Sequence, residues 1–186
     1  MWWDELFADL EREWEAIGAA EQVAEVADRT RGERAQVSLL DRLRASVACR
    51  VVVATAAGES DGVLNAVGAD FALVETAHFE LLVPTWAMQT VTGLRPAART
   101  ADTVGAVASR LGLRAALRRL SRDRTPVDVV LPAPGTVHGT LQNVGADYVD
   151  VAVHAVGEAP RAGAVRHVTA VPLAALCAVR RGAARL

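Results

Sequence analysis

The sequence has no lysine, few aromatic residues and no long hydrophobic run. All 20 basic residues are arginine, which we attribute to codon bias toward GC-rich genomes rather than to chemistry. Aromatic residues make up 4% of the 186 residues and apolar residues 52%, so a buried core must consist mostly of Val, Leu and Ala. The longest apolar run, residues 168–179, contains Pro172 and is too short to span a bilayer.

Patterns that would indicate catalysis, metal binding or export are also missing. Cys49 and Cys177 have no metal or disulfide spacing, which favours a reducing cytoplasm. The first residues, MWWDELFADLE, are acidic and amphipathic and form neither a signal peptide nor a membrane span. The nucleophile elbow, the P-loop and the Rossmann glycine pattern do not occur. We therefore expect a cytoplasmic protein that is not an enzyme and has no cofactor or catalytic residue.

The four histidines carry no metal-site pattern. They are scattered along the chain, and no carboxylate or cysteine stands at ligand spacing from them. We expect surface histidines and no metal at these positions: His78, His138, His154 and His167.

An internal repeat organises the chain. GVLNAVGADFALVE (62–75) returns as GTLQNVGADYVDVA (139–152), 77 residues later. Downstream, LVPTWAMQTV (82–91) matches AVPLAALCAV (170–179), now 88 residues apart. The second copy therefore carries eleven extra residues, in a loop around 154–165 that is rich in Gly, Pro and Ala.

Each copy reads as a helix followed by short Val-rich strands. Helices are predicted at Val37–Ala45 and Asp102–Leu120. VGAD is interpreted as a hairpin turn in which Gly68 takes positive φ and the Asp bonds nearby backbone N–H groups. The strands predicted in the first copy are 51–55, 60–67, 71–76, 80–83 and 88–91, and 127–131 is predicted to open the second set.

The motif G-x-L-x-x-V-G-x-D-[FY], followed by V-P-x-x-A-[ML]-x-x-V, resembles the Sm-like and SH3-like small barrels. In particular, it resembles uncharacterised actinobacterial proteins with two such barrels behind an acidic N-terminal helix. The resemblance implies a mainly β fold with helices, in which two tandem five-stranded barrels each follow a helix. The predicted segments are an acidic Trp-rich helix (1–34), a first barrel with its helix (35–95), an Arg-rich linker helix (96–124) and a second barrel (125–182).

Sm-like proteins form rings and bind RNA at the pore, so the resemblance also implies RNA as a candidate ligand. The arginines of the linker helix would serve such binding, because a dense cationic stripe attracts phosphate. A solvated helix face, or one paired with the acidic N-terminal helix, explains the same stripe. The candidate nucleic-acid-binding residues are Arg110, Arg114, Arg118, Arg119, Arg122, Arg180 and Arg181.

The N-terminal segment is the second candidate surface. Residues 1–28 contain nine acidic residues and one arginine, whereas the whole chain has a net charge of −2. Such asymmetry indicates either a charged partner or attraction between two parts of the chain. An apolar stripe on this helix either packs on the chain itself or docks a partner or a second copy. Its candidate partner-binding residues are Trp2, Trp3, Phe7 and Trp14.

The leading hypothesis is an interaction or scaffold module that binds a protein partner or itself. The alternative is an RNA-binding protein that uses the Arg-rich linker helix. No membrane association and no small-molecule substrate is expected from the sequence.

Overall fold

The computed structural model describes residues 35–96, 110–133, 135–156 and 165–182. Leu39–Leu186 form one compact unit of the chain, and Met1–Ser38 belong to another. The described part is mainly β, with ten strands and two α-helices, α1 (Leu39–Ala45) and α2 (Leu113–Arg122).

The strands are short and follow one another closely along the chain. Most were predicted to within two residues, because Val-rich alternation bounded by Gly or Pro is a local signal. A 3-10 turn follows β4 at η1 (Thr85–Ala87), and its counterpart η2 (Leu173–Ala175) follows β9. The strands are β1 (Arg50–Thr55), β2 (Gly58–Val67), β3 (Phe71–Glu75), β4 (Phe79–Pro84), β5 (Thr90–Thr92), β6 (Pro126–Val130), β7 (Thr136–Val144), β8 (Tyr148–Val153), β9 (His167–Pro172) and β10 (Ala178–Gly182).

The described parts of both predicted helices differ from the prediction. Helix α1 starts at Leu39 rather than Val37. Residues 110–112 are not α-helical and α2 starts at Leu113, so the predicted helix is interrupted there, and its predicted start at Asp102 lies outside the described residues. Gly112 is the N-cap of α2, and its extended backbone explains why the helix does not continue toward the N-terminus.

The ten strands form one continuous antiparallel sheet, in the order β5-β1-β2-β3-β4-β10-β6-β7-β8-β9. The prediction of two tandem five-stranded barrels is therefore wrong. Strand β10 connects the strands of the first half to those of the second, because it pairs with β6 on one side and with β4 on the other. The sheet does not close, and β5 and β9 are its outer strands.

Side-chain packing gives the physical reason for the single sheet, because each hydrophobic cluster draws residues from both halves of the chain. Phe71 and Leu82, from the first half, pack in the cluster that contains Leu113, Leu117 and most of the buried apolar side chains of the second half. Val130, Cys177 and Ala178, from the second half, pack in the cluster around Leu64 and Val74. Separate barrels would expose all of these apolar side chains to water.

The two VGAD turns share the same backbone hydrogen bond. Gly68 N–H donates to the Phe71 carbonyl at 2.8 Å, and Gly145 N–H donates to the Tyr148 carbonyl at 2.9 Å. The predicted positive φ is wrong, because Gly58 and Gly93 are the glycines with positive φ in the described part of the chain. Gly68 is required for another reason: a Cβ there would overlap the Phe71 ring and the Leu111 carbonyl.

Candidate functional site

A groove of about 670 Å³ lies between α2 and the face of the sheet formed by β2, β3, β4 and β10. We call it the α2 groove. One wall is the flank of α2 that carries Ala115, Ala116 and Leu120, and the floor is made of side chains from the four strands. Its apolar lining residues are Ala66, Phe71, Leu73, Leu82, Leu111, Ala115, Ala116, Leu120 and Val179.

Helix α2 is held in place by contacts on three sides. Leu113 and Leu117 are fully buried on its inner face. At its start, the Leu113 N–H donates to Asp70 Oδ1 at 2.6 Å, and the Ala69 N–H donates to the Leu111 carbonyl at 2.9 Å. On the flank opposite the groove, Ser121 Oγ donates to the Gln142 carbonyl at 3.2 Å. The groove wall is therefore a fixed element of the fold.

Four arginines line the groove, and they differ in their ion pairing. Arg119 Nε lies 3.0 Å from Asp123 Oδ2, and Arg181 lies 2.7 Å from Glu80 Oε2. Arg118 and Arg122 have no ion-pair partner among the residues that the structure describes. The groove therefore has an apolar floor and two cationic groups whose charge the described protein does not neutralise.

The structure brings together four of the seven predicted arginines: Arg118, Arg119, Arg122 and Arg181. Arg110 precedes α2, so it does not lie on one α-helix with Arg114 and Arg118, as the predicted linker helix required. Arg114 donates to the Ala146 carbonyl at 3.3 Å, on the side of α2 away from the groove. Arg180 lies over the Phe79 ring, 4.7 Å from its centroid, and is not part of the lining.

The predicted partner-binding residues Trp2, Trp3, Phe7 and Trp14 lie outside the described residues. The long loop of the second copy is described only at its ends, 154–156 and 165. These two surfaces remain predictions from the sequence.

A polar row crosses the other face of the sheet, and sequence reasoning missed it. The strand register places Arg180 opposite Asp128 and Asp128 opposite His138. His138 Nδ1 lies 2.6 Å from Asp128 Oδ1 and donates to that carboxylate, while His138 Nε2 is buried and has no hydrogen-bond partner among the described residues. No sequence signal links these residues, because their proximity depends on which strands pair.

His154 extends this cluster and corrects the expectation of surface histidines. It is 3% exposed, and its ring lies 5.1 Å from that of His138 in an edge-to-face arrangement. Nδ1 donates to the Ala155 carbonyl at 3.1 Å, which leaves Nε2 to accept from the Thr140 hydroxyl at 3.0 Å. Its polar atoms are thus satisfied within the protein, as expected for a buried structural histidine.

Among the described residues, no three His, Cys, Asp or Glu side chains are close enough together to hold a metal ion. Neither described helix has the length and apolar character needed to cross a membrane. No protein-family model matches the sequence, and no curated protein matches it either. The α2 groove is therefore the candidate site on its geometry alone.

Proposed function

We propose that this protein is a non-enzymatic interaction module that holds a segment of a partner protein in the α2 groove. The observation that carries the proposal is an apolar groove of about 670 Å³ with a cationic rim. Its volume is comparable with that of small-molecule pockets, about 300–1,000 Å³, so it has room for several side chains of a partner segment. Its lining is mostly apolar, as in the grooves that receive the apolar face of a partner segment.

RNA is the second candidate, because Arg118, Arg119, Arg122 and Arg181 line one groove. Two observations favour a protein partner instead. Arg119 and Arg181 already have carboxylate partners within the protein. Among the described lining residues Phe71 is the one aromatic, so the groove has no series of aromatic rings on which successive bases could stack.

The proposed location of this binding is the cytoplasm. Cys49 and Cys177 are both free thiols in the structure, which supports a reducing compartment. A second copy of the chain is one form of partner, in keeping with the hypothesis of self-association.

The test uses the full chain with the groove blocked. Ala115 is exposed on the groove flank of α2, so Ala115→Trp fills the groove without entering the core. Ala174→Trp is the matched control, because Ala174 is exposed in η2 and does not line the groove. A partner captured by the wild-type chain is identified by mass spectrometry, purified and titrated against all three proteins.

We expect Ala115→Trp to weaken binding at least about tenfold, a loss of roughly 1.4 kcal/mol, and Ala174→Trp to leave it unchanged. Equal affinity for the blocked and wild-type chains would rule out the groove. Absorbance at 260 nm is recorded on the same samples. Nucleic acid lost on Ala115→Trp, with no protein partner, would support the RNA alternative.

A further inference from the structure

The chemistry of the α2 groove also identifies the kind of segment it accepts. We infer that the occupant is an acidic amphipathic α-helix, with its apolar face on the groove floor and its carboxylates at Arg118 and Arg122. This inference rests on the proposed function, because it specifies the partner segment of the same groove. It follows from three observations: the hydrogen bonding of the floor strands, the composition of the lining and the unpaired charges of the rim.

The floor offers no free backbone to an extended peptide. Each strand beneath the groove is paired on both sides: β2 with β1 and β3, β3 with β2 and β4, β4 with β3 and β10, and β10 with β4 and β6. An extended segment lying there would bury its own N–H and C=O groups without partners. A helix satisfies its backbone internally, so it is the conformation that can be buried in this groove.

The lining matches the apolar face of such a helix. Phe71, Leu73, Leu82 and Val179 form the floor, and Leu111 and Leu120 stand on the α2 side. Helix-in-groove recognition uses about four anchors, at positions i, i+3, i+4 and i+7 along one face. The groove therefore accepts the apolar stripe of a helix and leaves that helix's polar face toward the rim.

The sign of the occupant's charge follows from the rim. Arg118 and Arg122 are one turn apart on α2 and lack a carboxylate partner within the described part of the chain. Glu80, the one acidic residue among the described lining residues, is paired with Arg181. An acidic helix places carboxylates opposite Arg118 and Arg122, whereas a basic helix would bring like charges together.

Nonspecific attraction has to be separated from such a preference, because the acidic residues are concentrated in residues 1–28 and residues 29–186 carry a net charge of +6. An acidic peptide is attracted to that part of the chain whether or not it enters the groove. The local charges of the groove are therefore tested by reversing Arg118 and Arg122 and comparing the result with the reversal of two arginines outside the groove.

The experiment uses three fluorescently labelled synthetic peptides of equal length with the full chain. The first carries Leu at i, i+3, i+4 and i+7 and Glu at the flanking positions. The second has Lys in place of every Glu. The third keeps the Glu residues but has two central prolines, which prevent the helix. Binding is measured by anisotropy and is expected for the first peptide only.

Charge reversal locates the contact. Arg118→Glu/Arg122→Glu should lower the affinity for the acidic peptide on the order of tenfold, since two partly exposed ion pairs are replaced by two repulsions between like charges. The same variant should bind the Lys peptide more tightly than the wild type does. Arg42→Glu/Arg166→Glu is the matched control, because it changes net charge equally at two exposed arginines that do not line the groove.

The outcomes separate this inference from the proposed function. If the proline or Lys peptide binds as well as the acidic helix and Ala115→Trp still abolishes binding, the groove is a protein site but its occupant is not an acidic helix. If the acidic peptide binds Ala115→Trp as tightly as the wild type, the groove itself is wrong. RNA that binds the wild type but not Arg118→Glu/Arg122→Glu, with no peptide bound, would overturn both.

Discussion

The carboxylate of Asp70 accepts a hydrogen bond from the backbone N–H of Leu113, with Oδ1 and N 2.6 Å apart. Asp70 lies in the turn between β2 and β3, and Leu113 is the first residue of α2, 43 positions later. The local N-cap, Gly112, supplies no side-chain cap. A turn of the first half therefore caps the helix of the second half, and a carboxylate there also complements the helix dipole. The same bond fixes one wall of the α2 groove.

Replacing Asp70 by Ala should destabilise the protein by about 1 kcal/mol, as for the loss of other N-caps. The physical reason is that the Leu113 N–H loses its acceptor at a partly buried position. The free energy of unfolding is measured by urea titration. The variant should also lower the affinity of any ligand that binds in the α2 groove, because the start of α2 loses one of the hydrogen bonds that hold it.

The repeat supplies the control for this prediction. Asp147 occupies the same position in the second VGAD turn, and its side chain makes no hydrogen bond to any of the described residues. Asp147→Ala should therefore change stability by less than about 0.5 kcal/mol. Equal losses in the two variants would show that the aspartates serve the turns themselves and that the bond to Leu113 is unimportant.

The two VGAD turns show what could be read from the sequence. The repetition, the turn and the flanking strands are local features, and they were predicted from GVLNAVGADFALVE and its second copy. The partner of Asp70 was not, because nothing near position 70 indicates that the backbone of residue 113 will meet it. Charge alone identified four of the groove arginines as candidates, namely Arg118, Arg119, Arg122 and Arg181. That they line one groove depends on the pairing of β4 with β10, which the sequence does not reveal.

The two halves of the chain should not fold independently. When they are produced separately, as residues 1–109 and residues 110–186, neither fragment should show a cooperative unfolding transition. The first fragment lacks Val130, Cys177 and Ala178 from its hydrophobic cluster, and the second lacks Phe71 and Leu82. Each also loses one partner at the β4–β10 pairing. Near-ultraviolet circular dichroism during urea titration measures this, and mixing the fragments in equal amounts should restore the signal of the full chain.

A full-length protein cleaved at an engineered protease site between residues 96 and 110 controls for the chain break. It should remain folded, because the clusters and strand pairings are intact. Independent cooperative unfolding of both fragments would instead mean that each half is a self-sufficient domain. The repeat in the sequence had favoured that arrangement, since a repeated pattern does not reveal whether its copies share a core.

Asp128→Ala should destabilise the protein by about 1–3 kcal/mol. Asp128 lies opposite His138 in the β6–β7 pairing, and its carboxylate accepts from Nδ1 at 2.6 Å. Because His138 Nε2 has no hydrogen-bond partner within the described ranges, removing the carboxylate would leave both ring nitrogens without one there, in a partly buried site. The urea midpoint of unfolding measures the loss.

Asp128→Asn separates the hydrogen bond from the charge. The amide oxygen of Asn still accepts from Nδ1, so most of the stability should return, although a bond to a neutral acceptor is weaker. Equal destabilisation by Ala and Asn would assign the effect to the negative charge, for example through Arg180 on the neighbouring strand. That result would contradict a stabilising role for the hydrogen bond itself.

The outer strand β9 should promote association between copies of the protein, and Val168→Lys should reduce it. In the part of the chain that the structure describes, β9 pairs with β8 alone, so one row of its backbone groups has no strand partner there, and Val168 on this strand is 50% exposed. Unprotected edges of this kind pair with other chains, and a lysine on the edge opposes such pairing. The mean mass of wild type and variant is measured by light scattering over a range of protein concentrations.

Val156→Lys is the matched control, because Val156 is 81% exposed but lies outside the strands. We expect the mass of the wild type to rise with concentration, that of Val168→Lys to stay near the mass of the monomer, and Val156→Lys to behave as wild type.

The salt dependence of this association follows from the repeat. The pairing of β4 with β10 contains the Glu80–Arg181 ion pair at 2.7 Å, whereas the position 88 residues after Glu80, on the outer strand β9, is Val168. Association through β9 would thus depend on backbone and apolar contacts, and it should persist at high salt. A wild-type mass that stays monomeric at every concentration, or that falls equally in both lysine variants, would contradict this role for the edge.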